Sequence, residues 1–195
     1  MTNKRPADVR NVPEPDPRIA RTTQALGTAI IELLRERPFD DITVQQILDR
    51  AGVGRTAFYA HYRNKEDVLA SSYERLFSFL DAWVERPSPV GYRLFPVREF
   101  TQHMSEANGV VEALRRDGRL DDIWSLCAAH AARLIDRRIA DSPSPSMVPR
   151  QIVPVMLAGS LVEMMRWWLD RPDSATPEQL DASFHHMAGR VLRAG

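Results

Sequence analysis

The stretch from Thr43 to Lys65, TVQQILDRAGVGRTAFYAHYRNK, narrows the possible folds more than any other part of the chain. Val44, Ile47, Leu48 and Ala51 recur at helical spacing and give one apolar stripe. Gly52 interrupts it, and Val53, Ala57, Phe58 and Tyr62 begin another. Glycine enters the left-handed region without a steric penalty, so Ala51-Gly52-Val53 is a natural place for one helix to end and the chain to turn. The start of the first helix is equally marked. Thr43 as N-cap with Gln46 three residues on makes a capping box, and Ile42 before the cap can pack on Ile47 as a staple. Two short helices about a Gly-containing turn form a helix-turn-helix unit.

With Val53, Phe58 and Tyr62 facing inward, Arg55, Thr56, Tyr59 and His61 face outward, with Thr43 and Gln45 on the adjoining edge. These side chains are donors suited to phosphate oxygens and base edges, and no acidic residue occurs from Arg50 to Asn64. The pattern fits a polyanion partner, with the second helix in a DNA major groove.

The segment ITVQQILDRAGVGRTAFYAHYRNKEDVL resembles the DNA-binding signature of TetR/AcrR-type transcriptional regulators. The shared features are Thr-Val, Ile, Ala-Gly-Val, the Phe-Tyr pair, His plus an aromatic, and Lys-Glu-Asp-Leu, and the likeness runs from about Arg18 to Leu69. The resemblance implies that Thr43, Tyr59, His61 and Lys65 contact phosphate, and that Gln45, Arg55 and Thr56 occupy the base-reading positions. One departure stands out: the family commonly has Thr directly before the Phe-Tyr pair, where this chain has Ala57, with Thr56 one residue earlier.

Net charge is zero over 195 residues, but it is unevenly placed. Residues 1–65 hold 11 Lys/Arg against 8 Asp/Glu and residues 66–195 hold 15 against 18, so +3 on the helix-turn-helix side faces −3 on the other. A bias this small makes DNA affinity depend on where the charges sit and on a dimer doubling them. At 44% hydrophobic and 27% charged residues the composition is that of a globular domain. No apolar run approaches the roughly 20 residues that span a bilayer, and MTNKRPADVR lacks a signal peptide's apolar stretch. A cytoplasmic location with no membrane partner is therefore expected, and the single cysteine, Cys127, suits a reducing compartment.

Residues 1–15 carry three prolines and no periodicity, so they read as a disordered arm, with Lys4, Arg5 and Arg10 able to reach a minor groove. Asp16-Pro17 signals a helix whose apolar face is Ile19, Thr23, Leu26, Ile30, Leu33 and Leu34, ending before Pro38. Residues 16–65 then form the DNA-binding domain and 66–195 a second helical domain. Asn64 can cap a long fourth helix through Val68, Leu69, Tyr73, Leu76, Phe79, Leu80 and Trp83, an element able to link the two. After a proline loop at 86–95, short helices are expected at 97–107 and 110–116, separated by Asn108-Gly109. A firm helix follows from Leu120 to Ile139, then a Ser/Pro loop at 141–149.

The last two helices are the most apolar part. One ends before Pro172, and Pro154 either opens it or kinks it. The other opens with the capping box Thr176-Pro177-Glu178-Gln179. Adjacent Trp167 and Trp168 cannot face the same core, and this second apolar face suggests a partner. Self-association through a four-helix interface is what the resemblance implies, with Leu157, Leu161, Met164, Trp168, Phe184, Met187 and Val191 as interface candidates and Ala158, Gly159 and Ser160 allowing close approach.

No metal-ligand spacing, Gly-rich phosphate loop, Gly-x-Ser-x-Gly or paired carboxylates occur, so no catalysis, metal or cofactor is expected. What remains is an apolar pocket expected from Phe79, Trp83, Phe100, His103, Met104, Trp124, Cys127, Met156 and Met165, with His103 or Arg98 as polar anchor. By resemblance its ligand is a small hydrophobic molecule that lowers DNA affinity. The expected protein is all-α: an N-terminal three-helix DNA-binding domain with a helix-turn-helix, plus a C-terminal helical domain for ligand binding and dimerisation. Its expected role is a homodimeric repressor bound to a pseudo-palindromic double-stranded DNA operator. The alternatives are a DNA-binding activator or architectural protein without a ligand and, more remotely, a helical enzyme retaining a helix-turn-helix.

Overall fold

The structure, a computed structural model, describes residues 17–86, 93–140 and 148–193. The expected arm at 1–15, the Asp16 cap and most of the two proline loops lie outside the described residues. Those residues form helices and short 3-10 turns, with no strand among them.

α1 (Pro17–Glu36) buries Leu26, Ala29, Ile30, Leu33 and Leu34. Ile19, expected on the same face, is 41% exposed because it lies about two turns ahead of the first buried residue. After a 3-10 turn at Phe39–Asp41 come α2 (Val44–Ala51), α3 (Arg55–Tyr59) and α4 (Lys65–Val84). Together they close a core of Leu26, Ile30, Leu34, Phe39, Ile42, Ile47, Leu48, Phe58, Tyr62, Val68 and Leu69. α5 (Val97–Glu106), α6 (Asn108–Arg116), α7 (Leu120–Arg138), α8 (Val153–Leu169) and α9 (Pro177–Arg193) build a second core with the far end of α4, which contributes Leu80 and Val84. α7 packs along α8 and α5 along α9. α6 packs on α1 and places Ala113 in the first core, so α4 and α6 both belong to each half.

Several local expectations resolve. Pro154 is the second residue of α8, where its missing N–H breaks no helical bond, so it opens the helix and does not kink it. Asn108-Gly109 does not separate α5 from α6: the break falls at Ala107, whose carbonyl accepts from Val110 N–H at 2.8 Å, and α6 starts at Asn108. Thr176 and Gln179 bond reciprocally at 2.8 and 3.3 Å, completing the capping box of α9. One expectation is corrected. Arg150–Leu169 is long and apolar enough, with mean hydropathy 1.3, to cross a membrane by length and composition. Gly159, Ser160, Glu163 and Arg166 break up its apolar run in the sequence. In the fold its Val153, Leu157, Leu161, Met165 and Trp168 are buried in the second core.

The short turn ahead of α2 is where the halves meet. Phe39 N–H donates to Asp117 Oδ2 at 2.8 Å, and Asp40 Oδ1 accepts from Arg119 Nη2 at 3.1 Å, both partners lying at the corner between α6 and α7. From α4, Lys65 Nζ donates to the Phe39 and Asp40 carbonyls at 2.7 and 3.0 Å. Both cations also lie against the Phe39 ring, Arg119 at 4.2 Å and Lys65 at 4.6 Å from its centroid. Gly118, at φ 66, supplies the left-handed residue that turns Asp117 and Arg119 toward this site.

The second core holds a buried ionic cluster. Arg93, 1% exposed, donates to both oxygens of Glu99 and, at 3.3 Å, to Asp181 on α9. Asp181 also accepts from Arg98 N–H at 3.3 Å. Beside it His185 Nε2 accepts from Leu94 N–H at 3.1 Å while Nδ1 donates to the Asp181 carbonyl at 2.8 Å, an arrangement open only to the neutral ring. Burial and the nearby Arg93 hold the His185 pKa down, against the pull of Asp181.

Two outcomes follow. Asp117→Ala leaves the buried Phe39 N–H without its acceptor, at a cost of about 1–3 kcal/mol. Thermal unfolding should show that loss, and hydrogen exchange at the Phe39 amide should speed up. Burial alone would raise the Glu99 carboxyl, but hydrogen bonds from Arg93, its own backbone and Arg98 outweigh it and hold the pKa at about 2. The folded carboxyl thus binds its proton more weakly than the unfolded one. The stability it contributes is complete above about 4.5 and fades as the pH falls toward 2. In a calorimetric pH series, Glu99→Gln should flatten that acid limb. At neutral pH it should cost about 3 kcal/mol, since Arg93 stays buried with less countercharge.

Candidate nucleic-acid interface

The helix-turn-helix is built by local chemistry. Thr43 Oγ1 accepts from Gln46 N–H at 3.2 Å and Gln46 Oε1 accepts from Thr43 N–H at 2.8 Å, which fixes the start of α2. Gly52 ends α2 at φ 64 with its N–H on the Leu48 carbonyl, and Gly54 caps α3. A non-glycine residue at Gly52 would carry the left-handed penalty, which is what holds the turn to this geometry. Phe58 is completely buried and locks α3 by its ring edges, 5.1 Å from the Tyr59 ring and 5.9 Å from that of Tyr62. Tyr62 is buried, and its hydroxyl donates to Ser71 at 3.0 Å, which fastens the end of the unit to α4.

This packing leaves Arg55, Thr56, Tyr59 and His61 exposed, Tyr59 at 55%, with Thr43 and Gln45 also exposed. Because Thr43 Oγ1 serves as the cap acceptor, its O–H remains a donor. Gln45 and Arg55 meet across the turn: Arg55 Nη2 donates to Gln45 Oε1 at 2.5 Å, and Gln45 Nε2 donates to Asp49 Oδ1 at 2.7 Å. Lys65 departs from expectation. Its ammonium is half-buried on the Phe39 and Asp40 carbonyls, so a phosphate contact would require it to leave them. Beside it, Arg63 pairs with Asp67 at 3.1 Å, and that bond holds the Asp67 carboxyl below the usual range.

The residues expected to line a ligand pocket separate into two groups. Phe100, Met104, Trp124, Cys127 and Met165 are buried together in the second core, where desolvation pushes the Cys127 thiol up to about 12. Trp83 and His103 are half-buried at its edge with ring centroids 6.2 Å apart, and burial lowers the His103 pKa. Two of the nine are misplaced by the sequence reading. Phe79, 55% exposed, stacks on the outer side of Trp83, and Met156, 50% exposed, points out from α8. Open clefts of about 530 and 430 Å³ lie on the helix-turn-helix half: one is lined by Tyr59, His61, Asp67 and Glu74 among others, the other by Leu33, Arg37, Gln46, Asp49 and Arg50.

Four of the seven candidates for a subunit interface are already covered within their own chain. Leu157, Leu161, Trp168 and Phe184 are at most 3% exposed, because they pack into the second core of their own chain. Met164 and Val191 are half-buried against that core, and Met187 is 37% exposed. The outward face of α8 is a different row, Val155, Met156, Gly159 and Trp167, continued by Ile152 just before the helix, with Val155 at 64% and Trp167 at 44% exposed. The signal that could have found it was the spacing of 152, 155, 156, 159 and 167, which continues one face of a 3.6-residue helix.

The family described as bacterial regulatory proteins, tetR family, matches residues 28–71, which run from α1 to the first turns of α4. The uncharacterised HTH-type transcriptional regulator YxbF of Bacillus subtilis (strain 168) is 36% identical over 61 residues, 31% of this chain but only 16% of that protein. The HTH-type transcriptional regulator EthR of Mycolicibacterium smegmatis is 26% identical over 187 residues, covering 86% of this chain and 83% of that one. Among solved structures, a TetR transcriptional regulator from Streptococcus agalactiae 2603V superposes with a TM-score of 0.62 at 24% identity, covering 90% of this chain and 96% of that chain, a likeness of fold. With the capped helix-turn-helix, its exposed donor row and the all-helical second half, these likenesses support the TetR/AcrR family of DNA-binding transcriptional regulators, the family match itself lying on the helix-turn-helix half.

Proposed function

We propose that this chain acts as a homodimeric repressor that sets one α3 into each of two successive major grooves of a pseudo-palindromic operator. The observation that carries this is the exposed row Arg55, Thr56, Tyr59 and His61, held rigid by Phe58 beneath it in a stretch without acidic residues. Thr43, Tyr59 and His61 take phosphate, and Lys65 joins them if it leaves its carbonyls. Gln45, Arg55 and Thr56 face the bases. Two half-sites about 34 Å apart need two chains, and the apolar face of Val155, Met156 and Trp167 supports a second copy there, with Met187 on α9. A dimer seated on a promoter blocks it directly, and transcription in vitro separates this from activation. A cytoplasmic location goes with that role.

Release by a small apolar ligand belongs to the same proposal. Support comes from the Met104, Trp124 and Met165 walls of the second core and from Tyr73, whose buried hydroxyl has no hydrogen-bond partner. Burial raises the Tyr73 pKa, so the group stays a neutral phenol able to anchor a polar atom. Linkage requires the ligand to bind the DNA-free form more tightly than the bound one.

Selection of duplexes from a random pool, then titration of the winner at two salt concentrations, tests the docking. A pseudo-palindrome with a steep salt slope is the expected result, and no preferred sequence from folded protein would refute it. Tyr59→Ala should weaken binding to every duplex by about three- to tenfold, with unchanged thermal stability, whereas Arg55→Ala should relax preference at one base pair per half-site. Val155→Arg should give monomers in sedimentation and abolish the advantage of the palindrome over a single half-site.

A further inference from the structure

Gln45 and Asp49 lie one helical turn apart on α2, and Arg55 opens α3 on the other side of the Gly52 turn. All three are exposed, and they form one chain of hydrogen bonds: Arg55 Nη2 to Gln45 Oε1 at 2.5 Å, and Gln45 Nε2 to Asp49 Oδ1 at 2.7 Å. The direction of this chain is fixed by chemistry. A carboxylate only accepts, so Asp49 takes the amide nitrogen of Gln45 and turns the amide oxygen toward the guanidinium. Glutamine reads adenine with both ends of its amide at once, the oxygen accepting from N6 and the nitrogen donating to N7. Here each end already holds a partner within the protein, Oε1 accepting from Arg55 and Nε2 donating to Asp49, so the two-ended pose on adenine competes with both bonds.

Arg55 is left in the opposite condition. One donor on Nη2 is used to orient the group, and the remaining donors of the fork stay available for the paired acceptors O6 and N7 of guanine. An ordered guanidinium has less rotamer freedom to lose on binding than a free one. A carboxylate near the docking face repels phosphate, so Asp49 works against affinity by its charge alone.

We propose that Gln45 and Asp49 are positioning residues for Arg55, so that this corner of the interface reads one guanine per half-site and Gln45 reads no base of its own. The inference rests on the docking of α2 and α3 proposed above and narrows its base-reading set.

The test is binding of the wild-type chain and of Arg55→Ala, Gln45→Ala, Asp49→Ala and Asp49→Asn to the selected duplex and to each of its single-base-pair variants, at one salt concentration. Thermal unfolding of each variant confirms that it is folded. Arg55→Ala should lower the preference for guanine at one base pair per half-site by about tenfold or more. Gln45→Ala and Asp49→Ala should lower preference at that same base pair by about threefold or more. Asp49→Asn keeps an oxygen that accepts from Gln45 Nε2, so it should keep the preference while losing the charge. A purely electrostatic Asp49 would instead show both substitutions raising affinity for all duplexes alike with the preference intact, and that result overturns the proposal. So does a Gln45→Ala variant whose altered base pair differs from that of Arg55→Ala. Failure of the docking itself would be visible earlier, as a wild-type chain with no preferred duplex.

Discussion

One aromatic ring, Phe39, anchors the geometry of the DNA-binding half to everything beyond it. Its ring takes two cations, Lys65 from α4 and Arg119 from the corner of α6 and α7, and its N–H and carbonyl are bonded to the same two neighbourhoods. A cation over an aromatic face contributes about 0.5–1 kcal/mol when exposed and about 2 when desolvated, so the pair with its hydrogen bonds is substantial beside a total stability of about 5–15 kcal/mol. Phe39 lies four residues before Thr43, whose capping box starts α2. The recognition helix hangs from α2 through the Gly52 turn. The placement of its exposed row is thus set by a contact shared between both halves of the chain.

α4 is the second element common to both halves, and it is fastened along its whole length. At its start Lys65 holds Phe39. In the middle Arg75 Nη1 donates to the Thr23 carbonyl of α1 at 2.8 Å, its guanidinium lying where a side chain on Gly27 would be. Toward its end Asp81 meets His130 at 3.0 Å and Arg137 at 3.1 Å, and Phe77 stacks on the His130 ring at 4.5 Å. A helix of 20 residues spans about 30 Å, and one held at both ends transmits displacement as a body. For the proposed ligand response this matters in a specific way. A molecule that opened the α4–α7 seam near Tyr73 would act on Lys65 through the same rod, while the α6–α7 corner would act on Phe39 directly.

The local half of this structure was legible in the sequence because its determinants are local. A capping box, a left-handed glycine and an inward Phe58 are set by neighbours within a few residues, and α2, the turn and α3 form where those signals stand. What could not be read was the choice between two apolar faces of one helix. Leu157, Leu161 and Trp168 against Val155, Met156 and Trp167 differ little in hydrophobicity, and the positions of the helices packed on α8, α7 foremost, decide which set is covered. The bonds of Lys65 were hidden for a related reason: its partners, the carbonyls of Phe39 and Asp40, lie 26 and 25 residues away and leave no trace in residue type. Arg93, an arginine in a proline-bounded loop, gave no sign that it would be buried.

That buried arginine explains how α9 is held in register. Arg93 bonds Glu99 at the start of α5 and Asp181 on α9, while His185, one turn further along α9, accepts from Leu94 beside Arg93. Burying charge of this kind contributes little net stability, since desolvation consumes most of the Coulombic gain. It does penalise alternatives heavily. A slide of α9 by one turn along α5 would leave Arg93 or Asp181 without a partner in a region closed to water, whereas an all-apolar contact would tolerate the slip. α9 also carries Phe184 into the core and Met187 to the surface. A fixed register of α9 on α5 therefore fixes which residues the α8–α9 pair turns outward, and with them the separation of two recognition helices in any dimer formed across that face.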